Sequence, residues 1–307
     1  LVPTVQQQKE DMRILAAMGI KVLRTYNTQA FIGLDGKSNT ENLLEAIKQL
    51  SDEDENFEMY VMLGIWIDAL NSFTDKPVVH NQENSKNALE MAAGIKLTQQ
   101  YPSIVKVLAV GNEAMVHWAP YHVVPGIILK HVNALQTLKE TGEIGKDVWI
   151  TSSDNHASWG SEGAGGPYES DDLVALIKAV DYISLHTYPF HDSHYAEEFW
   201  LVPHSEANLT NKQKIDAAMA RAKALALKQT HDAQRYILSL GVNKQIHIGE
   251  TGWASFANVN YGDNNSRAAD EYKQRVFADN MRAWSDEFGA SLFLFQAFDE
   301  PWKGNAT

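Results

Sequence analysis

The chain alternates short apolar segments with longer amphipathic segments, and this alternation limits the folds that it can adopt. Strand-like segments begin about every 35 to 65 residues, which is the period of repeated strand–helix units. Several of them are almost continuously apolar, as residues 105–110 are, which is typical of strands covered by helices on both faces. We therefore predict an α/β fold with a parallel sheet and seven strands, at residues 20–26, 59–67, 104–110, 148–152, 182–188, 245–249 and 291–298.

Amphipathic segments between these strands predict helices. Met12 and Leu15 share one helical face, and Gly19 follows them as a helix stop. Thr40 is a candidate N-cap for the next helix, and Gly241 follows the longest one. The predicted helices cover residues 5–18, 40–50, 83–100, 125–140, 171–179, 211–240 and 267–288. Because no linker-like break divides the chain, we expect one domain over residues 1–307.

Seven strands are one fewer than a (β/α)8 TIM barrel requires. The helix at residues 5–18 ought to follow an earlier strand, and little chain remains after residue 298 for a closing helix. Either the first strand of a barrel is absent here and lies upstream of Leu1, or the fold is a doubly wound open sheet. In a barrel truncated at its N-terminus, we expect the segments 20–26 and 291–298 to flank a gap.

Composition narrows the choice of partners. The chain has 26 basic and 39 acidic residues, a formal net charge of −13, so nucleic acid is disfavoured as a partner and a neutral ligand is favoured. No segment has the run of about 20 apolar residues needed to span a membrane. The absence of cysteine excludes disulfides, thiolate metal sites and a cysteine nucleophile.

Three of the predicted strands end in acidic motifs, and in parallel α/β folds the carboxyl ends of strands face the active site. Glu113 and Glu250 each lie close after a glycine, and Glu300 follows the last strand. A retaining glycosidase needs two carboxyl groups, one as the nucleophile and one as the acid/base, and Asn112 can hydrogen-bond a sugar hydroxyl. Aromatic residues near the strand ends offer flat faces to sugar rings: Trp66, Trp118, Tyr188, Phe190, Trp253 and Trp302.

Each of these features has a simpler explanation, since an acidic residue at a strand end often caps the following helix and aromatic residues usually pack in the core. The combination of two such glutamates beside aromatic residues favours a catalytic site. A competing site consists of histidines: His186, His191 and His194, together with Asp192 and His156, could hold Zn²⁺ and an activated water.

In chain order, several motifs resemble those of glycoside hydrolase family 17, which comprises β-1,3-glucanases and related transglycosylases on (β/α)8 barrels. They are Leu23-Arg24-Thr25-Tyr26-Asn27, Gly111-Asn112-Glu113, Tyr188-Pro189-Phe190, Gly249-Glu250-Thr251-Gly252-Trp253 and Phe298-Asp299-Glu300-Pro301-Trp302-Lys303. In the clan to which this family belongs, the acid/base and the nucleophile lie at the ends of strands four and seven. Glu113 and Glu250 take those places if the first barrel strand is absent from this chain, so the resemblance favours the barrel over the open sheet.

The resemblance implies that Glu113 is the acid/base and Glu250 the nucleophile, and that Tyr188 hydrogen-bonds the nucleophile. It also implies sugar contacts by Tyr26, Asn112, Trp253, Glu300, Trp302 and Lys303. The implied substrate is β-1,3-glucan, with no cofactor or metal. The family further implies a secreted, periplasmic or cell-surface protein, and we expect a monomer.

Two alternatives within the same fold remain open. The Pro301-Trp302 pair resembles the bacterial branch of the family, which includes both hydrolases and transglycosylases, so a β-1,3-glucan transglycosylase is one alternative. A non-catalytic glucan-binding protein is the other, although such proteins usually lose a carboxylate and this chain keeps both. The segment from Pro189 to Asn211 is long enough to close one end of the cleft.

Overall fold

The computed structural model describes residues 2–194, 197–256 and 268–298. In these residues a seven-stranded sheet forms in the order β1-β2-β5-β6-β7-β8-β9, with every neighbouring pair parallel, and β3 pairs with β4 in a separate antiparallel hairpin. The strands are β1 (Val22–Arg24), β2 (Tyr60–Ile65), β3 (Ala69–Leu70), β4 (Val79–Glu83), β5 (Val105–Asn112), β6 (Trp149–Asn155), β7 (Ile183–His186), β8 (Ile246–Thr251) and β9 (Leu292–Leu294).

Helices connect the parallel strands. They are α1 (Val5–Ala17), α2 (Asn39–Glu53), α3 (Asn87–Gln100), α4 (Pro125–Thr141), α5 (Asp171–Ala179), α6 (Pro189–His194), α7 (Glu197–Trp200), α8 (Asn211–Ser239) and α9 (Glu271–Phe288), with a 3₁₀ turn at His204–Glu206. No helix in these residues is long and apolar enough to cross a membrane.

The strand order distinguishes a barrel from a doubly wound sheet. In a doubly wound sheet the order of the strands reverses at a switch point. In this sheet the strands lie side by side in chain order from β1 to β9. The result is a nearly closed barrel of parallel strands with flanking helices, which confirms the predicted fold class. Leu44 and Ile47 of α2, Leu97 of α3 and Leu135 of α4 are buried against it, so the main apolar core lies between strands and helices.

The sheet ends at β1 and β9, and within the described ranges no backbone hydrogen bonds join these two strands. This agrees with the expectation that they flank a gap. Just beyond their carboxyl ends, however, the rings of Tyr26 and Phe295 meet edge to face at 6.4 Å. The two edges therefore approach each other at the end of the barrel where active sites form.

Local signals explain most element boundaries. Capping boxes begin α1 at Thr4, α2 at Ser38 and α8 at Thr210. The predicted cap of α2 at Thr40 is wrong, because Thr40 is buried inside the helix and its hydroxyl donates to the Asn27 carbonyl. Gly19 and Gly241 follow their helices with φ of 82° and 72°, as expected of helix stops.

Two segments differ from the sequence-based expectation. The β3–β4 hairpin was not predicted, and α3 begins four residues after Glu83, which belongs to β4. The segment after Pro189 was expected to be a loop, but it contains α6, α7 and the 3₁₀ turn. Both segments follow strands at their carboxyl ends, where insertions surround the site.

Candidate active site

Glu250 lies within β8, and three side chains from two other parts of the barrel hold its carboxylate. Arg24, the last residue of β1, forms an ion pair with Oε2. The Tyr26 hydroxyl donates to the same oxygen at 3.1 Å, and the Tyr188 hydroxyl donates to Oε1 at 2.5 Å. Both carboxylate oxygens are therefore fixed in place.

This environment keeps Glu250 ionised. Burial favours the neutral carboxyl, but the charges of His186 and Arg24 and the hydrogen bonds from Tyr188 and Arg24 outweigh burial and hold the pKa at about 2. Conversely, burial and the charge of Glu250 raise the pKa of Tyr188 well above its ordinary value, so Tyr188 remains a donor. An ionised and oriented carboxylate is suited to nucleophilic attack.

Glu113 follows directly after β5, in a strained turn. Its φ is 44°, in the left-handed region that side chains rarely adopt, and the preceding Gly111 has φ of 81°. A Cβ on Gly111 would lie 2.8 Å from the Cβ of Ala114, so only glycine fits there. The Glu113 N–H donates to the Ser153 carbonyl at 3.0 Å. The turn thus holds Glu113 at the carboxyl end of β5, next to β6.

His186 connects Glu113 to the barrel interior. Its Nδ1 lies 3.1 Å from Oε1 of Glu113 and its Nε2 lies 2.7 Å from the Ser153 hydroxyl, which is 2.8 Å from the Ser184 hydroxyl. The imidazole is fully buried, and His186 pairs with Glu250 in the register of β7 and β8. It therefore lies beside both glutamates.

The glycine before Glu250 leaves space for this network. A Cβ on Gly249 would clash with the hydroxyls of Ser184 and Ser153. The Gly-Glu pair was singled out in the sequence, and the close approach of these two serines is the physical reason that it is needed.

Asp154 stabilises the turn that contains Glu113. This fully buried carboxyl accepts from the backbone N–H groups of Met115 and Asn155, each at 2.8 Å. Burial and the nearby charge of Glu113 raise its pKa to about 7. Asp154 thus holds the backbone of Met115, two residues beyond Glu113.

Asn112 links the two glutamates. Its amide oxygen accepts from Nη2 of Arg24 at 2.5 Å, and Arg24 contacts Glu250 through its other terminal nitrogen. Since Asn112 immediately precedes Glu113, one guanidinium joins the nucleophile candidate to the segment that carries the acid/base candidate. The Asn112 side chain also hydrogen-bonds the Tyr121 hydroxyl.

The structure thus brings together most of the predicted site residues. Glu113, Glu250, Tyr26, Asn112 and Tyr188 form one cluster. Three predicted sugar contacts, Glu300, Trp302 and Lys303, lie outside the described residues.

Trp253, which the resemblance implies as a sugar contact, is almost fully buried in this structure. It is only 3% exposed, and its indole N–H donates to the Ala268 carbonyl at 2.8 Å. The rings of Phe190, Trp200 and Phe277 surround it at 5.1 to 5.6 Å. Its role here is packing, because an apolar ring of this size stabilises the core most when it is fully buried.

The alternative histidine site is not assembled in the described part of the chain. Both nitrogens of His186 have protein partners, Glu113 and Ser153. The described side chains contain no group of three histidine or acidic residues arranged to hold one metal ion. His191 packs against Tyr188 at 5.4 Å, and the side chain of His194 is not described.

Sequence reasoning assigned no role to Arg24, Ser153, Asp154, Tyr121 or Ser184. Arg24 carried a signal, because a cation that ends an apolar strand two residues before Tyr26 needs a buried partner. Asp154 also comes two residues after the predicted strand at residues 148–152, as a potential buried acid. The serines and Tyr121 had no such signal.

Comparisons with known proteins show the family to which the chain belongs. The chain matches the family described as the BtgE/BtgC glycoside hydrolase domain over residues 2–307. Among solved structures, an endo-laminarinase from Formosa Hel1_33_131 is 53% identical, with a TM-score of 0.92, and the match covers 98% of this chain and 75% of that one.

More distant relatives share the architecture. A glycoside hydrolase family 17 β-1,3-glucanosyltransferase from Rhizomucor miehei is 19% identical with a TM-score of 0.60, covering 98% of this chain and 84% of that one, which shows a common fold. A candidate glucan endo-1,3-β-glucosidase, btgC, from Aspergillus niger is 23% identical over 312 residues, covering 98% of this chain. The chain spans 36% of the length of that relative.

Proposed function

The chain belongs to the BtgE/BtgC glycoside hydrolase domain family, and from this premise we propose that it hydrolyses β-1,3-glucan by retaining double displacement. The observation that carries the proposal is a pair of carboxyl groups with different surroundings. Glu250 is ionised and both of its oxygens accept hydrogen bonds from tyrosines, whereas Glu113 contacts His186. Two carboxyl groups in unlike environments are the arrangement that divides nucleophilic and acid roles. The 53% identical endo-laminarinase supports the substrate class.

In the first step, a carboxylate oxygen of Glu250 attacks the anomeric carbon and forms a glycosyl ester. The bond from that carbon to the leaving oxygen breaks, and Glu113 gives its proton to this oxygen. Arg24, Tyr26 and Tyr188 orient the attacking carboxylate through the contacts described above.

In the second step, water attacks the same carbon from the face that the leaving group vacated. Glu113, now a carboxylate, takes the proton of the water, and the ester bond breaks to regenerate Glu250. The new hydroxyl has the β configuration of the bond that was cut. If a sugar hydroxyl replaces water, the same step produces transglycosylation.

The proposal also covers the glycoside hydrolase family and the place where the protein acts. The motif run and the fold shared with the Rhizomucor miehei enzyme support membership of glycoside hydrolase family 17. Polymeric glucan occurs outside the cytoplasm, so we propose that the protein acts there. The net charge of −13 suits a neutral polymer.

A time-resolved product profile on laminarin, a soluble β-1,3-glucan, tests the proposal. We expect short laminari-oligosaccharides to appear, with a β-1,4-glucan left intact, and Glu250→Gln to produce almost none. When the substrate is a short laminari-oligosaccharide, products longer than that substrate would instead identify transglycosylation as the main activity. An inactive wild-type protein would contradict the enzymatic proposal.

A further inference from the structure

The β3–β4 hairpin carries an aromatic residue that the site described above does not use. Phe73 lies in the connection between the two strands, and it is 72% exposed. An exposed ring of this size, on a loop at the carboxyl end of a strand, is a candidate for contact with a ligand.

The backbone presents this ring in a strained conformation. Phe73 has φ of 59°, in a region that is disfavoured for bulky residues. The turn is nevertheless ordered by hydrogen bonds, since Asn71 donates to the Pro77 carbonyl at 2.9 Å and the Thr74 hydroxyl donates to the Asn71 carbonyl at 2.7 Å. Strain that is maintained at a surface position often marks a functional contact.

Phe73 is part of a group of three rings that we call the aromatic platform: Trp66, Phe73 and Tyr121. Phe73 stacks on Tyr121 at 5.6 Å with an interplanar angle of 27°, and Trp66 lies 5.0 Å from Tyr121. The Trp66 indole N–H donates to Asp68 at 3.3 Å, and the Ala69 N–H donates to the Tyr121 carbonyl at 3.0 Å. The hairpin and the loop after β5 are thereby joined.

The aromatic platform adjoins the proposed acid/base. The Tyr121 hydroxyl donates to the carbonyl of Asn112 at 3.3 Å, and Asn112 directly precedes Glu113. Burial and then the charge of Glu113 raise the pKa of the Tyr121 hydroxyl. The exposed Phe73 ring, stacked on Tyr121, thus extends the surface of the site away from Glu113.

We propose that the aromatic platform is a binding subsite for a glucosyl unit that lies away from the cleaved bond. Phe73 forms the outer face of this subsite. This inference rests on the proposed function. A β-linked glucosyl ring has flat faces of axial C–H groups, and these stack on an aromatic ring that is presented to solvent. The platform therefore sets the dependence of the reaction on chain length.

The test compares Phe73→Leu with Phe73→Tyr on laminari-oligosaccharides of increasing length. Leucine keeps the apolar bulk and the strained backbone but removes the flat face, whereas tyrosine keeps the face. We expect Phe73→Leu to lower kcat/KM about tenfold on long oligosaccharides and to leave the shortest cleaved substrate unchanged, and Phe73→Tyr to match the wild type. Phe31→Leu is the matched control, since Phe31 is also exposed, with φ of 56°.

An equal loss at every length, no loss at any length, or the same loss in Phe31→Leu would overturn the subsite. Phe73→Gly separates binding from folding, because glycine relieves the strained φ. Its thermal midpoint should not fall, while its long-substrate kcat/KM falls as in Phe73→Leu.

A binding measurement keeps this inference apart from the proposed hydrolysis. In a Glu113→Gln background, calorimetric titration with laminariheptaose should show about tenfold weaker binding when Phe73→Leu is added. If the wild type does not cleave laminarin but this difference appears, the hydrolase proposal fails and the subsite stands. If the wild type is active and binding is unchanged by Phe73→Leu, the subsite fails.

Discussion

Arg24 and Glu250 are 226 residues apart in the sequence and form an ion pair inside the site, where their side chains are only 4% and 14% exposed. The pair joins β1 to β8 across the end of the barrel. Arg24 also donates to Asn112, so the guanidinium fixes the nucleophile candidate relative to the segment of the acid/base candidate. Removing one member of such a pair leaves the other as a buried charge without a partner.

Arg24→Met tests this relationship through the pH profile. Loss of the cation removes one of the interactions that together hold the pKa of Glu250 at about 2. The acidic limb of kcat/KM should therefore move to higher pH, by about 1–3 units. Arg13→Met, at an exposed arginine of α1, should leave the profile unchanged, and an unshifted limb in Arg24→Met would refute the electrostatic role.

Glu113→Gln and Glu250→Gln should each abolish most turnover of laminarin while the fold is kept, since an amide preserves shape but neither transfers the proton nor attacks. The two variants should differ on an aryl glycoside with a good leaving group. Such a substrate needs no proton, so Glu113→Gln should still form the glycosyl-enzyme, and Glu250→Gln should not. A burst of released phenol distinguishes them, and the reverse pattern would exchange the two roles.

His186→Ala should disturb Glu113, because the imidazole contacts that carboxyl at 3.1 Å. It should also raise the pKa of Glu250, which the charge of His186 helps to lower, so the assays are run at neutral pH, where Glu250 stays ionised. We expect kcat on laminarin to fall about 100-fold, the scale of one general acid/base contribution. On an activated aryl glycoside the loss of the glycosylation rate should be much smaller. His231→Ala, on α8 beside Phe288, is the matched control, and equal losses on both substrates would contradict a positioning role for His186.

The sequence predicted the sheet well because several strands, such as β2 and β5, are apolar runs between helices, as burial on both faces demands. All seven predicted strands occur, with ends shifted by a few residues. The β3–β4 hairpin escaped prediction because β3 has only two residues and β4 is mostly polar, with residues 79–83 only partly buried or exposed. Its pairing depends on tertiary contacts such as the bond from Ala69 to Tyr121.

The site was predictable where the chemistry requires a residue type at a strand end, as at Glu113 and Glu250. At Trp253 the sequence shows that an aromatic ring follows the strand, but not that the ring packs into the core. The contacts of Arg24 and His186 arise from residues distant in the chain. Such contacts depend on the register between strands, which local patterns do not reveal.

Asp154 should make stability depend on pH. Its ordinary pKa is 3.8 and the folded value is about 7, so the folded state keeps a proton that the unfolded chain has already lost. Stability from this group is therefore fully present below pH 4 and falls as pH rises to about 7.

Asp154→Asn removes that dependence but leaves one of the two backbone N–H donors without an acceptor, at a cost of about 1–3 kcal/mol. The difference in thermal midpoint between wild type and variant should therefore shrink, or change sign, from pH 5 to pH 8. Parallel midpoint curves over this range would show that Asp154 is not protonated in the fold.

The most direct test of the central claim is the configuration of the first product. Double displacement by Glu250 and Glu113 inverts the anomeric carbon twice, so the sugar released from laminarin must be the β anomer. Proton NMR during the first minutes, before mutarotation, should show the β anomeric signal rising first and the α signal following slowly. An initial α signal would mean direct attack by water and would contradict the assignment of Glu250 as the nucleophile.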